Sequence, residues 1–109
     1  MDLTKIRCLL GEGKLRIRYT SHARIESLKD GLTIDNDLEY TLMHGEVIEE
    51  YPDRDRMLLL GFASDTGFPI HIIAEYYEGD DVVTVVSAYV PEDDQWDKNY
   101  KTRKRSKKS

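Results

Sequence analysis

The residue types best suited to chemistry begin with a histidine and an arginine at the start of a predicted helix, in the stretch SHARIESLKDG. The imidazole of His22 titrates near neutral pH and can act as a general base or acid. The guanidinium of Arg24 can hold a phosphate through two parallel hydrogen bonds. Since a helix turns about 100° per residue, both can serve one site only if His22 lies at or before the cap. Alternatively, His22 caps or packs at the helix start and Arg24 pairs with Glu39 or a nearby strand.

Two candidates lie on predicted strands. By alternation, His71 shares a face with Glu75 and lies opposite the most apolar residues of its strand. It faces a cleft or solvent if helices cover the apolar side. The alternative is a structural role, which is the more common one for a lone histidine on a strand. Tyr89, near the end of the last strand, shares parity with Val83 and Val85. It can donate to a phosphate or stack on a base, and it can equally seal the core.

A metal-independent ribonuclease that attacks through the 2′-hydroxyl needs a base, an acid and a cation that stabilises the phosphorane. His22, Arg24, His71 and Tyr89 are the catalytic candidates. Arg54 and Arg56, in a turn before a strand, are the substrate-binding candidates, with surface ion pairing as the alternative role. This hypothesis requires His22, Arg24 and Arg56 to gather in one positive cleft.

Cysteine and histidine usage predicts neither a metal nor a cofactor. The one cysteine and three histidines lack the spacing of a zinc site, and the GEG at residues 11–13 is neither a P-loop nor a dinucleotide fingerprint. Cys8 cannot form an internal disulfide, the charged N-terminus is unlike a signal peptide, and no apolar run is long enough to cross a bilayer. We therefore predict a cytoplasmic protein without membrane contact.

Charge is divided along the chain. Residues 1–96 hold 9 Lys/Arg and 20 Asp/Glu, a net charge of −11, whereas residues 97–109 hold 7 Lys/Arg and one Asp, a net of +6. An acidic body argues against broad nucleic-acid binding, because phosphate contacts need concentrated Lys and Arg. The basic segment can contact RNA, DNA or the acidic body, or remain a disordered solubilising tail. We predict a single domain over 1–96 and a disordered tail over 97–109.

Hydrophobic periodicity predicts helices first and strands afterwards. The second helix has Thr20 or Ser21 as its cap and Ala23 or Ile25 with Leu28 as its apolar positions. The third is capped by Thr33. Short connections between successive strands favour antiparallel pairing. The predicted fold class is α+β, with N-terminal helices packed on one face of a four- or five-stranded, mainly antiparallel sheet. The predicted elements are helices at LTKIRCLL, Ser21–Lys29 and Ile34–His44, and strands at LRIRYT, EVIEEY, RMLLLGF, PIHIIAEYY and DVVTVVSAYV.

The order of several motifs resembles the prokaryotic family called domain of unknown function 4258. The motifs span about Leu15 to Trp96 and are SHARIESL, GLTIDNDLEYTLMHGEVIEEYPDRDR, LLLGF, GFPIHIIAEYY and VVTVVSAYVPEDDQW. The family has no settled activity. Its members are often encoded beside small proteins resembling zinc-finger/helix-turn-helix antitoxins, and the helices-then-sheet order is similar to ribonuclease toxins of the RelE and BrnT type. Those toxins are usually basic, whereas this body is acidic.

The leading hypothesis is therefore a toxin-like, metal-independent ribonuclease held by a small antitoxin-like protein. The alternative is a non-catalytic module that binds a protein partner through its sheet edge or acidic face. A small-ligand or nucleotide-binding domain is a third class. The expected partners are the antitoxin-like protein, RNA and, through an exposed edge strand, a second copy of the chain.

Overall fold

The computed structural model describes residues 1–93 and 95–103. Three α-helices precede most of a five-stranded sheet, which confirms the predicted α+β class. The elements are α1 (Leu3–Gly11), β1 (Arg16–Tyr19), α2 (Ser21–Lys29), a π-helical segment (Ile34–Glu39) that runs into α3 (Tyr40–His44), β2 (Glu46–Tyr51), a short 3-10 turn (Pro52–Arg54), β3 (Arg56–Phe62), β4 (Pro69–Glu75) and β5 (Val82–Tyr89).

The sheet has the strand order β1-β5-β4-β3-β2. Strands β2 to β5 form an antiparallel meander, as their short connections predict. The first strand is the exception, because β1 pairs parallel with β5, from Arg16 opposite Val82 to Tyr19 opposite Val85. The four residues of β1 cover only the first half of β5. The second half of β5 therefore needs another neighbour, and α2 supplies it.

The helices pack on one face of the sheet, as predicted. In the region of the predicted third helix, Leu38, Thr41 and Leu42 are buried, and this region contacts β3 and β4. At the predicted cap, Thr33 is a hydrogen-bond donor and not the expected acceptor. Its own side chain makes no cap hydrogen bond, and the carboxylate of Asp37 instead accepts bonds from the Thr33 backbone N–H at 2.7 Å and hydroxyl at 3.1 Å.

The predicted apolar face of α2 is wrong in part. Ala23 is buried as expected, but the second buried residue is Ser27. Leu28 is 77% exposed and Ile25 is 57% exposed. The reason is that α2 lies along the edge of β5, and the side of the helix that is buried there consists of the small residues Ala23 and Ser27.

A β-bulge in β5 reverses the predicted orientation of Tyr89. Val85 lies opposite Ala74, but Ser87 lies opposite Ile73, so one extra residue is inserted in β5. Alternation from Val85 would place Tyr89 on the helical side. The bulge instead turns Tyr89 to the other face, directly opposite His71.

Contacts with the sheet extend seven residues beyond the predicted domain boundary. We call residues 95–103 the C-terminal loop. Its two ends meet where Trp96 and Arg103 form an antiparallel bridge, and Tyr100 at its turn has a positive φ of 58°. The loop contacts the sheet face opposite the helices through His71 and Glu49. The rest of the predicted tail, 104–109, lies outside the described residues.

The helical layer comes very close to β3 at one point. A Cβ atom at Gly61 would lie 2.5 Å from the Thr41 Oγ1 of α3. Thr41 cannot easily move away, because its hydroxyl donates to the Asp37 carbonyl at 2.7 Å. Gly61 is therefore required by packing and not by its backbone conformation.

We predict that Gly61→Ala lowers the free energy of unfolding by about 1–3 kcal/mol, the usual cost of overpacking. Urea denaturation measures this. The matched control is Gly11→Ala, where an added Cβ meets nothing within 4 Å. A Thr41→Ala/Gly61→Ala double variant should recover part of the loss. Equal stability of the two single variants would contradict the packing argument.

Candidate functional site

The junction between β1 and α2 attaches the helix to the sheet edge. Thr20 caps α2 by accepting the Ala23 N–H at 3.0 Å, and its hydroxyl donates to the carbonyl of Val86 at 2.9 Å. Its own backbone N–H donates to the carbonyl of Val85 at 3.1 Å. One residue therefore ends the pairing of β1 with β5 and starts α2 beside the same strand.

Two carboxylates, one on α2 and one on the residue that caps its C-terminus, complete the edge of β5. Glu26 accepts the Ala88 N–H at 2.9 Å and the Ser87 hydroxyl at 2.6 Å, and Asp30 accepts the Val90 N–H at 2.8 Å. Residues four apart on a helix are separated by about 6 Å, close to the separation of alternate residues on a strand. This match lets Glu26 and Asp30 replace a neighbouring strand. The sequence places Glu26 beside His22 and Arg24 in the first turns of the predicted helix, but it predicts no role at the sheet edge for Glu26 or Asp30, although their spacing of four is visible.

His22 and Arg24 do not form one site. The His22 Nε2 lies 3.5 Å from the Glu26 carboxylate, and its side chain is 68% exposed. The Arg24 guanidinium lies 5.7 Å from the ring centroid of Tyr19, which packs against the helical core. The side chains of residues two apart on a helix point in nearly opposite directions. His22 therefore faces the β5 edge, and Arg24 faces the helical side.

Arg54 and Arg56 lie in a separate recess. The Arg56 Nε donates to the Glu75 carboxylate at 2.7 Å, and both arginines line small hollows beside Tyr51 and Tyr77. Neither His22 nor Arg24 lines these hollows. The structure therefore does not gather His22, Arg24 and Arg56 into one cleft.

His71 and Tyr89, by contrast, meet. They are direct partners in the pairing of β4 with β5, and the Tyr89 hydroxyl lies 3.4 Å from His71 Nδ1. The His71 Nε2 lies 2.7 Å from the carbonyl oxygen of Tyr100. Because a carbonyl oxygen only accepts, Nε2 carries the proton and Nδ1 is the acceptor for the Tyr89 hydroxyl.

The imidazole of His71 is closed in by the C-terminal loop. Its exposed fraction is 0%, and the Trp96 ring meets it edge to face, with centroids 4.4 Å apart. Burial lowers the pKa of His71 and outweighs the opposing hydrogen bond to Tyr100. Burial also raises the pKa of Tyr89 to about 12. At neutral pH the pair is therefore an uncharged imidazole beside a protonated phenol.

A charged cluster lies next to this pair. Arg103 donates to both Glu49 oxygens, at 3.0 and 3.2 Å, and its guanidinium carbon lies 4.6 Å from the centroid of the Trp96 ring. The Tyr51 hydroxyl donates to the same carboxylate. Burial opposes ionisation of Glu49, but the hydrogen bonds from Arg103 and Tyr51 outweigh it and hold the Glu49 pKa below its ordinary value. The sequence does not predict this cluster, because Arg103 lies in the predicted tail, far along the chain from Glu49.

A groove of about 930 Å³ runs between α2 and the C-terminal loop. Tyr89 and Trp96 line its interior, and Phe68 lies at its side. The charged residues among its described lining are the carboxylates Glu26, Asp30, Glu92 and Asp93 and the cations Lys29 and Arg103. The groove thus joins an aromatic interior to an excess of negative charge. Such a surface can hold cationic side chains over its aromatic rings. The Tyr89 hydroxyl, whose proton is directed to His71 Nδ1, can accept a hydrogen bond from them.

Two further classes of site are absent from the described part of the chain. Within 1–93 and 95–103, no three His, Cys, Asp or Glu side chains are grouped so that they could hold a metal ion. Over the same residues, no helix has the length and apolar character needed to cross a membrane.

Burial of neutral His71 makes stability depend on pH. Its pKa is lower in the folded state than its ordinary value of 6.5, so below that pH the unfolded chain binds more protons. We predict that the free energy of unfolding falls as the pH is lowered from about 7 to about 5.5, and that His71→Gln flattens this dependence. Urea denaturation at a series of pH values measures both effects.

The control for that series replaces the exposed His44 with glutamine, and it should keep the pH dependence of the wild type. The lowered pKa of Glu49 adds stability that is lost as the pH falls below the ordinary value of 4.5, which lies outside this window. An unchanged dependence in His71→Gln would show that His71 is not buried as a neutral group.

Comparison with known proteins gives one match. The family model described as "Domain of unknown function (DUF4258)" matches residues 19–90. A comparison with curated proteins found no match, and neither did a comparison with solved structures. The matched segment includes Glu49, His71 and Tyr89, and the C-terminal loop lies beyond it. Since the match covers more than half of the chain, this protein belongs to the DUF4258 family.

Proposed function

We propose that this domain binds a protein partner that places a lysine- or arginine-rich segment in the groove between α2 and the C-terminal loop. The observation that carries the proposal is the charge of the groove, where four carboxylates face two cations among the described lining residues. One of those cations, Arg103, is already paired with Glu49. The net field therefore attracts cations and opposes phosphates.

The aromatic interior of the groove adds affinity for the same ligands. The Trp96 ring already holds one guanidinium, that of Arg103, at 4.6 Å. Phe68 is exposed beside it. Cations over aromatic faces gain about 0.5–2 kcal/mol, more when water is excluded.

The outer side of α2 offers apolar contact next to the groove. Ile25 and Leu28 are exposed and lie one turn apart on the helix that forms one groove wall. A partner that combines basic and apolar side chains fits both surfaces. A small antitoxin-like protein is the partner that the family resemblance implies. We place the pair in the cytoplasm, where the exposed thiol of Cys8 stays reduced.

We predict that Glu92→Gln weakens binding of a fluorescein-labelled basic peptide about two- to fivefold at low salt, the usual effect of one rim charge. Lys29→Glu should tighten binding by a similar factor. Fluorescence polarisation measures both. The matched control is Glu50→Gln, which removes an equal charge from β2 and should leave binding unchanged. If all three variants bind as wild type does, the groove is not the binding surface.

The second candidate function is a metal-independent ribonuclease. The observation that favours it is the Tyr89 hydroxyl, which lines the groove with His71 Nδ1 3.4 Å behind it. The protonated phenol can donate to the leaving oxygen once its hydroxyl turns from His71 Nδ1 to the substrate, and His22, beside Glu26, can act as the base. Lys29 and Arg103 are the nearby cations. The groove carboxylates oppose RNA binding, which is why we place this function second.

Ribonuclease activity predicts cleavage of RNA in excess EDTA, leaving cyclic-phosphate ends. Tyr89→Phe keeps the packing of the ring and should reduce the rate at least 100-fold, as expected for loss of a general acid. His22→Ala should do the same. Gel analysis of transfer, ribosomal and messenger RNA measures the activity, with circular dichroism to show that each variant is folded. Absence of cleavage by the wild type removes this candidate.

A further inference from the structure

One arginine in this structure occupies a site built by other residues. We call this site the arginine slot and define it by the carboxylate of Glu49, the hydroxyl of Tyr51 and the indole of Trp96. Arg103 fills it, donating from Nε and Nη2 to the two Glu49 oxygens at 3.0 and 3.2 Å. Its guanidinium carbon lies 4.6 Å from the Trp96 ring centroid.

The walls of the slot are held by contacts that do not involve the Arg103 side chain. Tyr51, on the same strand as Glu49, donates to the carboxylate and fixes its orientation. The edge-to-face contact with His71, at 4.4 Å and 85°, fixes the plane of the Trp96 indole. His71 is itself anchored by the Tyr100 carbonyl. The slot is therefore preorganised for a planar cation.

The chemistry of the slot selects arginine over other ligands. Two carboxylate oxygens accept two parallel N–H groups, and a flat guanidinium can stack on the indole at the same time. A lysine ammonium is a point charge and cannot make both contacts in this geometry. The Glu49 carboxylate repels phosphates and other carboxylates.

The present occupant is accessible. The Arg103 side chain is 56% exposed, and Arg103 is part of the groove lining. Rotation of this one side chain would empty the slot without disturbing β2 or β4. We infer that the slot is a recognition site for an arginine side chain of the partner, and that Arg103 is an internal competitor for it. The identity of that ligand rests on the proposed binding function.

The direct test empties the slot and adds a small ligand. In Arg103→Ala, N-acetyl-arginine methylamide should change the fluorescence of Trp96, the only tryptophan of the chain, in a saturable way. The expected half-saturation is about 1–10 mM, as for a ligand of this size. The wild type should respond at least tenfold more weakly. N-acetyl-lysine methylamide at equal ionic strength is the ligand control, and Glu49→Gln added to Arg103→Ala should abolish the response.

A second variant guards against loosening of the C-terminal loop. Arg103→Gln keeps part of the Arg103 stem without its guanidinium and should also bind the arginine ligand. The inference is overturned if both variants fold without responding to arginine, if arginine and lysine act alike, or if both variants unfold. Because the ligand is a small molecule, this result is independent of the partner. An effect of Glu92→Gln on peptide binding without arginine binding would retain the proposed function and reject the slot.

Discussion

The structure on the non-helical face of the sheet depends on the contacts that the buried imidazole of His71 makes. One ring nitrogen donates to the Tyr100 carbonyl at 2.7 Å, and the Trp96 ring packs against the imidazole in a T-shaped arrangement. A buried imidazole is tolerated here because it is neutral and its polar atoms have partners. The C-terminal loop therefore acts as a cover for the sheet, and its position fixes Trp96 and Arg103 beside Glu49.

The wall of the groove formed by α2 depends on side chains that take the place of a neighbouring strand. Because β1 covers only half of β5, the remaining backbone N–H groups are bonded by the carboxylates of Glu26 and Asp30. These carboxylates serve the fold and also contribute negative charge to the groove. The same residues thus stabilise the sheet edge and favour a cationic partner. Part of the negative charge of the body therefore has a structural role at this edge.

Local patterns in the sequence predict most elements of this fold, although the predicted helix Ile34–His44 begins as the π-helical segment Ile34–Glu39. The bounds of α2 and the meander of β2 to β5 follow from caps, periodicity and turns. The site was harder to predict, because it depends on three non-local features. The bulge in β5 brings Tyr89 opposite His71, the parallel pairing of β1 places α2 beside β5, and the return of the chain after Trp96 brings Arg103 to Glu49. No local pattern signals any of these three.

The most direct test of this account is the contact between His71 and Trp96 in solution. If the C-terminal loop covers the sheet as described, nuclear Overhauser effects should connect the imidazole protons of His71 to the indole protons of Trp96, whose ring centroids lie 4.4 Å apart. The proton on His71 should also be found on Nε2. Absence of these effects, with a solvent-exposed Trp96, would mean that the loop does not close this face. The groove and the arginine slot would then lack one of their walls.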